Sequence, residues 1–125
     1  MKKIIHTENA PKAIGPYSQA VEANGMLFIS GQIPINPATG VLVEADIKIQ
    51  TEQVMKNIEA ILTEAGYTFA NVIKSTCLLS DMNNFAAMNE IYGKYYPENS
   101  PARAAYGVVK LPLGALIEIE TIAAK

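Results

Sequence analysis

Two stretches of helical spacing lie among six strand-like ones, and each helix is apolar on one side only, which leaves this chain few architectures. From Ile47 to Ala65 the residues Val54, Ile58, Ile61, Leu62 and Ala65 recur at i, i+4, i+7 and i+8, opposite Glu52, Lys56, Glu59 and Glu64, and Gly66 stops the run. A second helix is predicted over Phe85 to Tyr96, with Phe85, Met88, Ile91, Tyr92 and Tyr95 on one face and Pro97 ending it. Tyr17 to Ala23 and Met26 to Ile33 read as strands joined by Asn24-Gly25, a strong two-residue hairpin signal. Val41 to Val43, Val72 to Ser80, Ala102 to Val109 and Leu116 to Ala124 complete the order β-β-β-α-β-α-β-β. The fold class is therefore α+β, a mixed β-sheet with two helices on one face. The other face is left bare. In 125 residues, half of them hydrophobic and only 18% charged, one domain spanning 1–125 is expected, and the bare apolar face calls for a closed symmetric oligomer.

Several classes of function drop out at once. The formal net charge is −2, and apart from Lys2-Lys3 the basic residues are scattered singly, so nucleic acid is not expected as a partner. No run reaches the ~18 apolar residues that span a bilayer, so no membrane partner is expected. The single cysteine cannot form an internal disulfide and the N-terminus has no apolar secretion segment, which makes the cytoplasm the default location. No metal-ligand cluster, P-loop or GxGxxG is present, and neither cofactor nor metal is expected. His6 reads as a surface residue and Cys77 as a small core hydrophobe, since neither has a triad partner in sequence.

The candidate chemistry lies near the C-terminus. In Leu116-Ile117-Glu118-Ile119-Glu120-Thr121 the period of two sets the isoleucines under the helices and both glutamates on the other face. If Lys110 to Ala115 is a simple hairpin loop, pairing Val109 with Leu116 puts Arg103, Ala105 and Gly107 on that glutamate face too. Two readings stand at this point: an edge-strand salt bridge on a solvated face, or an anion pocket in which Arg103 grips a carboxylate while a glutamate holds water. Gly15-Pro16-Tyr17-Ser18-Gln19-Ala20 and Ser30-Gly31-Gln32-Ile33-Pro34 add glycines at strand ends, where a bulge or a close backbone approach is common.

Five blocks, GPYSQA, SGQIPINPATG, DMNNFAAMNEIYGKYYP, PARAAYGVVKLP and IEIETIA, span nearly the whole chain, and in that order they resemble the RidA (YjgF) family of enamine/imine deaminases. The resemblance implies a chorismate-mutase-like domain, assembled as a homotrimer with its sheets packed into a central barrel and its sites between subunits. It further implies hydrolysis of 2-aminoacrylate and related enamines, through 2-iminopropanoate or 2-iminobutanoate, to 2-keto acids and ammonia. Residue by residue, Arg103 matches the arginine that binds the substrate carboxylate and Glu118 the glutamate that orients water. Tyr17, Ser30, Gly31 and Asn89 match residues that line the pocket. Ala105 stands where many members carry cysteine; the family uses that position through its backbone, so hydrolysis is expected to survive and thiol-based regulation is not. Alternatives from other classes are a non-catalytic keto-acid-binding module and an endoribonuclease or translation inhibitor, the latter opposed by the missing basic patch.

Overall fold

The computed structural model describes all residues from Met1 to Lys125. Strands β1 (Lys3–Ile5), β2 (Ala20–Ala23) and β3 (Met26–Gln32) are followed by a small ribbon, β4 (Ile35–Asn36) with β5 (Val41–Leu42). Then come α1 (Ile47–Ala65), β6 (Val72–Leu79), α2 (Phe85–Tyr95), β7 (Ala102–Gly107) and β8 (Ile117–Ala124). The main sheet has the order β1-β2-β3-β8-β6-β7, parallel only between β6 and β7, so it is mixed as expected.

Local chemistry explains the elements. Asn24 and Gly25 both take positive φ, 52° and 74°, as the tight turn between β2 and β3 demands. Helix α1 starts where the Asp46 side chain accepts hydrogen bonds from the Lys48 and Ile49 amides, and ends at Gly66 with φ 83°. Its buried stripe of Val54, Ile58, Ile61 and Leu62 packs with Met88 and Tyr92 of α2 against Leu27, Cys77, Leu79, Ile117 and Ile119 of the sheet. Both helices therefore cover one face. The opposite face carries Ile4, Phe28 and Tyr106, at 52, 44 and 52% exposure.

The sequence reading fails at β7 and β8, which do not form a hairpin. Helix α2 links β6 to β7 in parallel, and the chain then returns through buried Leu111 and a short turn at Pro112–Gly114 to insert β8 between β3 and β6. Burial gives the reason. Ile117, Ile119, Thr121 and Ala123 are all at most 1% exposed, which requires a neighbour on each side, whereas Ala102, Arg103, Tyr106 and Gly107 are exposed and suit an edge. Two smaller differences are the start of β2 at Ala20 instead of Tyr17, and the separate β4–β5 ribbon instead of a third strand of the sheet. Strand β1 has too short a pattern to stand out in sequence.

Candidate functional site: two half-sites on opposite faces

The observed register relocates Arg103. Along one row, Ile29, Thr121, Ser75 and Arg103 lie side by side on the helix-covered face, while Glu120, Thr76 and Ala104 form the next row on the bare face. Arg103, Ala105 and Gly107 therefore do not share the glutamate face, and the hairpin-based grouping is wrong. Arg103 instead meets α2. Its Nη1 donates to Asn89 Oδ1 at 2.6 Å, and its guanidinium carbon lies 5.0 Å from the Tyr92 ring centroid and 5.4 Å from that of Phe85. Rings and guanidinium at these distances attract through the ring quadrupole. The ion pairs of the chain are His6–Glu8 and Lys48–Glu90, so the salt-bridge reading of Arg103 falls away. With one of five N–H donors engaged and the side chain exposed, Arg103 presents a free edge.

Phe85, Asn89 and Tyr92 follow each other at i, i+4 and i+7, so one stripe of α2 builds this shelf. The sequence reading placed Phe85 and Tyr92 in the core and missed that they carry the arginine; their spacing with Asn89 was the available signal. Ala105 lies in register with Cys77 beside the shelf. Burial pushes the Cys77 thiol up to about 11, while the Arg103 charge acts weakly the other way, so the thiol stays protonated at neutral pH.

The second half-site gathers at the β3 bulge. The ladder to β8 slips between Ile29 and Gln32, freeing Ser30 and Gly31. Ser30 is tied back twice, its amide donating to Gln19 O at 3.0 Å and its hydroxyl to Ser18 O at 2.6 Å. Gly31 then lies against Glu118 so closely that a Cβ would stand 2.0 Å from Glu118 Oε2. Only glycine permits this approach. The Glu118 carboxylate is half-buried, and burial first, then the neighbouring Glu120 charge, raise its pKa above the ordinary carboxylate range.

Tyr17 and Gly31 share a cleft of about 270 Å³ whose wall also includes Ile14, Ile33, Pro112 and Leu113. Three buried amides that the sequence reading did not single out hold this region. Gln19 accepts from the Thr7 amide and donates to the Pro11 carbonyl, Asn57 donates to the Ile33 and Ile35 carbonyls, and Gln50 accepts from the Leu116 amide. The structure thus joins Tyr17, Ser30, Gly31 and Glu118, and separately Arg103, Asn89 and Ala105. It does not join the two groups, which face opposite sides of one sheet. No group of three or more His, Cys, Asp or Glu side chains converges in the chain, and no helix is long and apolar enough to cross a membrane.

An exposed arginine with no ion-pair partner on an aromatic shelf, and a half-buried carboxylate at a glycine bulge, are the polar features that this α+β fold sets out on its sheet. The chain belongs to the YjgF/RidA family: the family described as Endoribonuclease L-PSP matches residues 7–125. It is 60% identical over 125 residues to a RutC family protein of Pyrococcus horikoshii, covering 100% of this chain and 99% of the relative. It is 49% identical to the human protein named 2-iminobutanoate/2-iminopropanoate deaminase, over 98% of this chain and 90% of that one. A crystal structure from Yersinia pestis, described as a protein of unknown function of the conserved Rid family, superposes with a TM-score of 0.98 at 52% identity, covering all of both chains.

Proposed function

We propose that this chain hydrolyses the imine forms of reactive enamines, 2-iminopropanoate and 2-iminobutanoate, to 2-keto acids and ammonia, at sites assembled between copies in a homotrimer. The observation that carries the reading is the pairing of an Arg103 edge with no counter-ion and a Glu118 carboxylate with a raised pKa. Relatives at 49% identity that bear the deaminase name support it. Two faces of one sheet cannot close on one small substrate, so the arginine of one copy serves the glutamate of the next. The apolar bare face around Phe28 and Tyr106 gives the copies a reason to associate, with the sheets forming a central barrel.

In this reading Arg103 holds the substrate carboxylate through two parallel N–H bonds while Asn89 and the two rings fix the guanidinium plane. Water held by Glu118 adds to C2, and Glu118 takes one of its protons. As the C=N bond opens, that proton passes from Glu118 to the nitrogen to give a carbinolamine; the second water proton then moves from the new hydroxyl to the nitrogen as the C–N bond breaks and C=O forms, so imine plus water gives keto acid plus ammonia in balance. The carbon is already electrophilic, so anchoring and orientation suffice. No strong nucleophile is needed, consistent with the protonated Cys77. Tyr17, Ser30 and Gly31 shape the glutamate side, and Ala105 acts through its backbone. A cytoplasmic location, where pyridoxal-phosphate dehydratases release such enamines, belongs to the same reading.

The test is a coupled assay in which a serine or threonine dehydratase runs with and without this protein. Faster keto-acid appearance is expected. Tight binding of 2-ketobutyrate with no acceleration would replace the enzyme by a binding module, and a monomer by light scattering at micromolar concentration would sink the interfacial site.

A further inference from the structure

Two opposite charges lie in the middle of the bare face. Lys74 shares a row with Phe28, Ile122 and Ala102, and Glu120 lies in the next row with Thr76 and Ala104. Across the ladder between β6 and β8 they are diagonal neighbours, a spacing that two long side chains can bridge. They do not bridge it, since the ion pairs of the chain are His6–Glu8 and Lys48–Glu90. A hollow of about 170 Å³ opens instead, with Lys74, Thr76 and Glu120 on its wall beside Phe28 and Ile122. Both charged residues are exposed in the single chain, and Glu118, the other carboxylate nearby, is turned against Gly31.

Charges so placed fit a buried face only if they are paired. In the trimer proposed above this face is covered, so every copy carries one ammonium and one carboxylate into the barrel. A charge desolvated without a partner opposes association far more strongly than a paired one. The lysine suits such a place, because its four-carbon stem matches apolar walls while its head reaches past them. With one cation and one anion per copy, a ring has a simple solution. Each copy gives its cation to one neighbour and its anion to the other, and the pairs close with no charge left over.

We propose that Lys74 of one copy pairs with Glu120 of the next, and that the ring of such pairs fixes the register in which the sheets pack. The partner of this face is thus a second copy of the same chain, recognised by charge as well as by apolar area. The proposal rests on the interfacial trimer of the deaminase reading. Apolar contact is non-directional and tolerates a slide of one sheet over another, whereas a slide by one row here sets the charges apart. Because the arginine and glutamate half-sites meet only in one register, the pair also positions them, without touching substrate.

The experiment reverses charges in the full chain and reads mass by light scattering over a dilution series from micromolar concentration, where the native protein is expected as a trimer. Lys74→Glu sets two carboxylates at the pair and Glu120→Lys two ammoniums, so each variant alone is expected to dissociate more readily by about tenfold or more. Mixed in equal amounts, the two variants are expected to form trimers again, because two of the three interfaces in a mixed ring then join opposite charges. Circular dichroism checks that each variant is folded. If either is not, a cycle of Lys74→Met, Glu120→Gln and both together takes its place. The double variant is then expected to dissociate about fivefold less readily than the product of the single effects. Reversed variants as trimeric as the native chain, a mixture no more associated than its components, or a cycle without coupling overturns the pair and leaves the trimer intact. A native chain that is monomeric overturns the trimer itself and the pair with it.

Discussion

The two half-sites solve the same problem, holding one charged group still, by opposite means. The arginine half is made by side chains: α2 offers an amide oxygen and two rings, and the guanidinium rests on them in contact with solvent. The glutamate half is made by backbone. A bulge, two hydrogen bonds from Ser30 and a missing Cβ at Gly31 bring the main chain against a carboxylate that its surroundings discourage from ionising. A stabilised cation suits a group that must only grip, whereas a destabilised anion suits one that must take up a proton.

The sharpest way to break this comparison is to inactivate each half in a different copy. Arg103→Lys is expected to lose nearly as much turnover as Arg103→Ala, on the order of 10²-fold or more, because an ammonium cannot reproduce a planar two-bond grip. Glu118→Gln is expected to lose a similar factor while still binding 2-ketobutyrate, and Glu120→Gln much less. When Arg103→Ala and Glu118→Gln chains are unfolded together and refolded, the proposed interfacial trimer predicts that about a quarter of the sites receive both native groups and that activity returns to that level. Mixtures as dead as their parents would mean that the two halves never meet across copies.

Gly31→Ala comes next, because it attacks the backbone half alone. The new Cβ collides with the carboxylate and drives it from its place. A displacement of about 1 Å at a water-positioning group costs on the order of 10² in rate. The pH profile gives a second readout. Burial and Glu120 raise the Glu118 pKa, so activity that needs the ionised carboxylate falls as pH drops through that raised value, and Glu120→Gln moves the fall to lower pH. The stability effect has the opposite sign. Between the ordinary carboxylate range and the raised value the folded chain holds the extra proton, so its stability declines as pH rises through that window. A pH profile indifferent to Glu120 would show that the carboxylates do not sense each other.

The same contrast explains how far the sequence could be read. The helices, the Asn24-Gly25 turn and the central strands were legible because apolar periodicity and turn residues are local signals. The pocket beside Gly31 was legible in part, since a glycine closing a strand often marks a bulge. What stayed hidden depended on which strand sits beside which. Parity along β8 separated Ile117 from Glu118 correctly, but the face of Arg103 depended on β7 pairing with β6 and not with β8, and only the buried centre of the sheet decides that. The buried amides Gln19, Gln50 and Asn57 were equally invisible, because their partners lie on other elements or in distant loops.

On the arginine half, the shelf should matter for binding more than for chemistry. Tyr92→Leu keeps an apolar side chain but removes the ring under the guanidinium, and a cation–ring contact of ~0.5–2 kcal/mol predicts a rise in KM of roughly twofold to thirtyfold with kcat little changed. Tyr92→Phe keeps the ring and should keep the KM. Equal KM values in the two variants would leave Asn89 and Phe85 as the supports of Arg103.

The smallest effect is expected beneath that shelf, where the comparison turns from function to stability. The hydroxyl of Thr121, in register with Ser75 in the layer between α2 and the sheet, is buried without a hydrogen-bond partner, whereas the Ser75 hydroxyl faces those of Tyr92 and Tyr96. A hydroxyl desolvated without a partner costs about 1–3 kcal/mol, and valine has nearly the shape of threonine. Thr121→Val should therefore raise unfolding stability by about 1 kcal/mol, read as a higher urea midpoint at unchanged slope, with turnover unaltered because the position faces the core at 1% exposure. A drop in stability instead would mean that Thr121 shares a hydrogen bond with a water enclosed beside Ser75, and that the support of the arginine half is wetter than its packing implies.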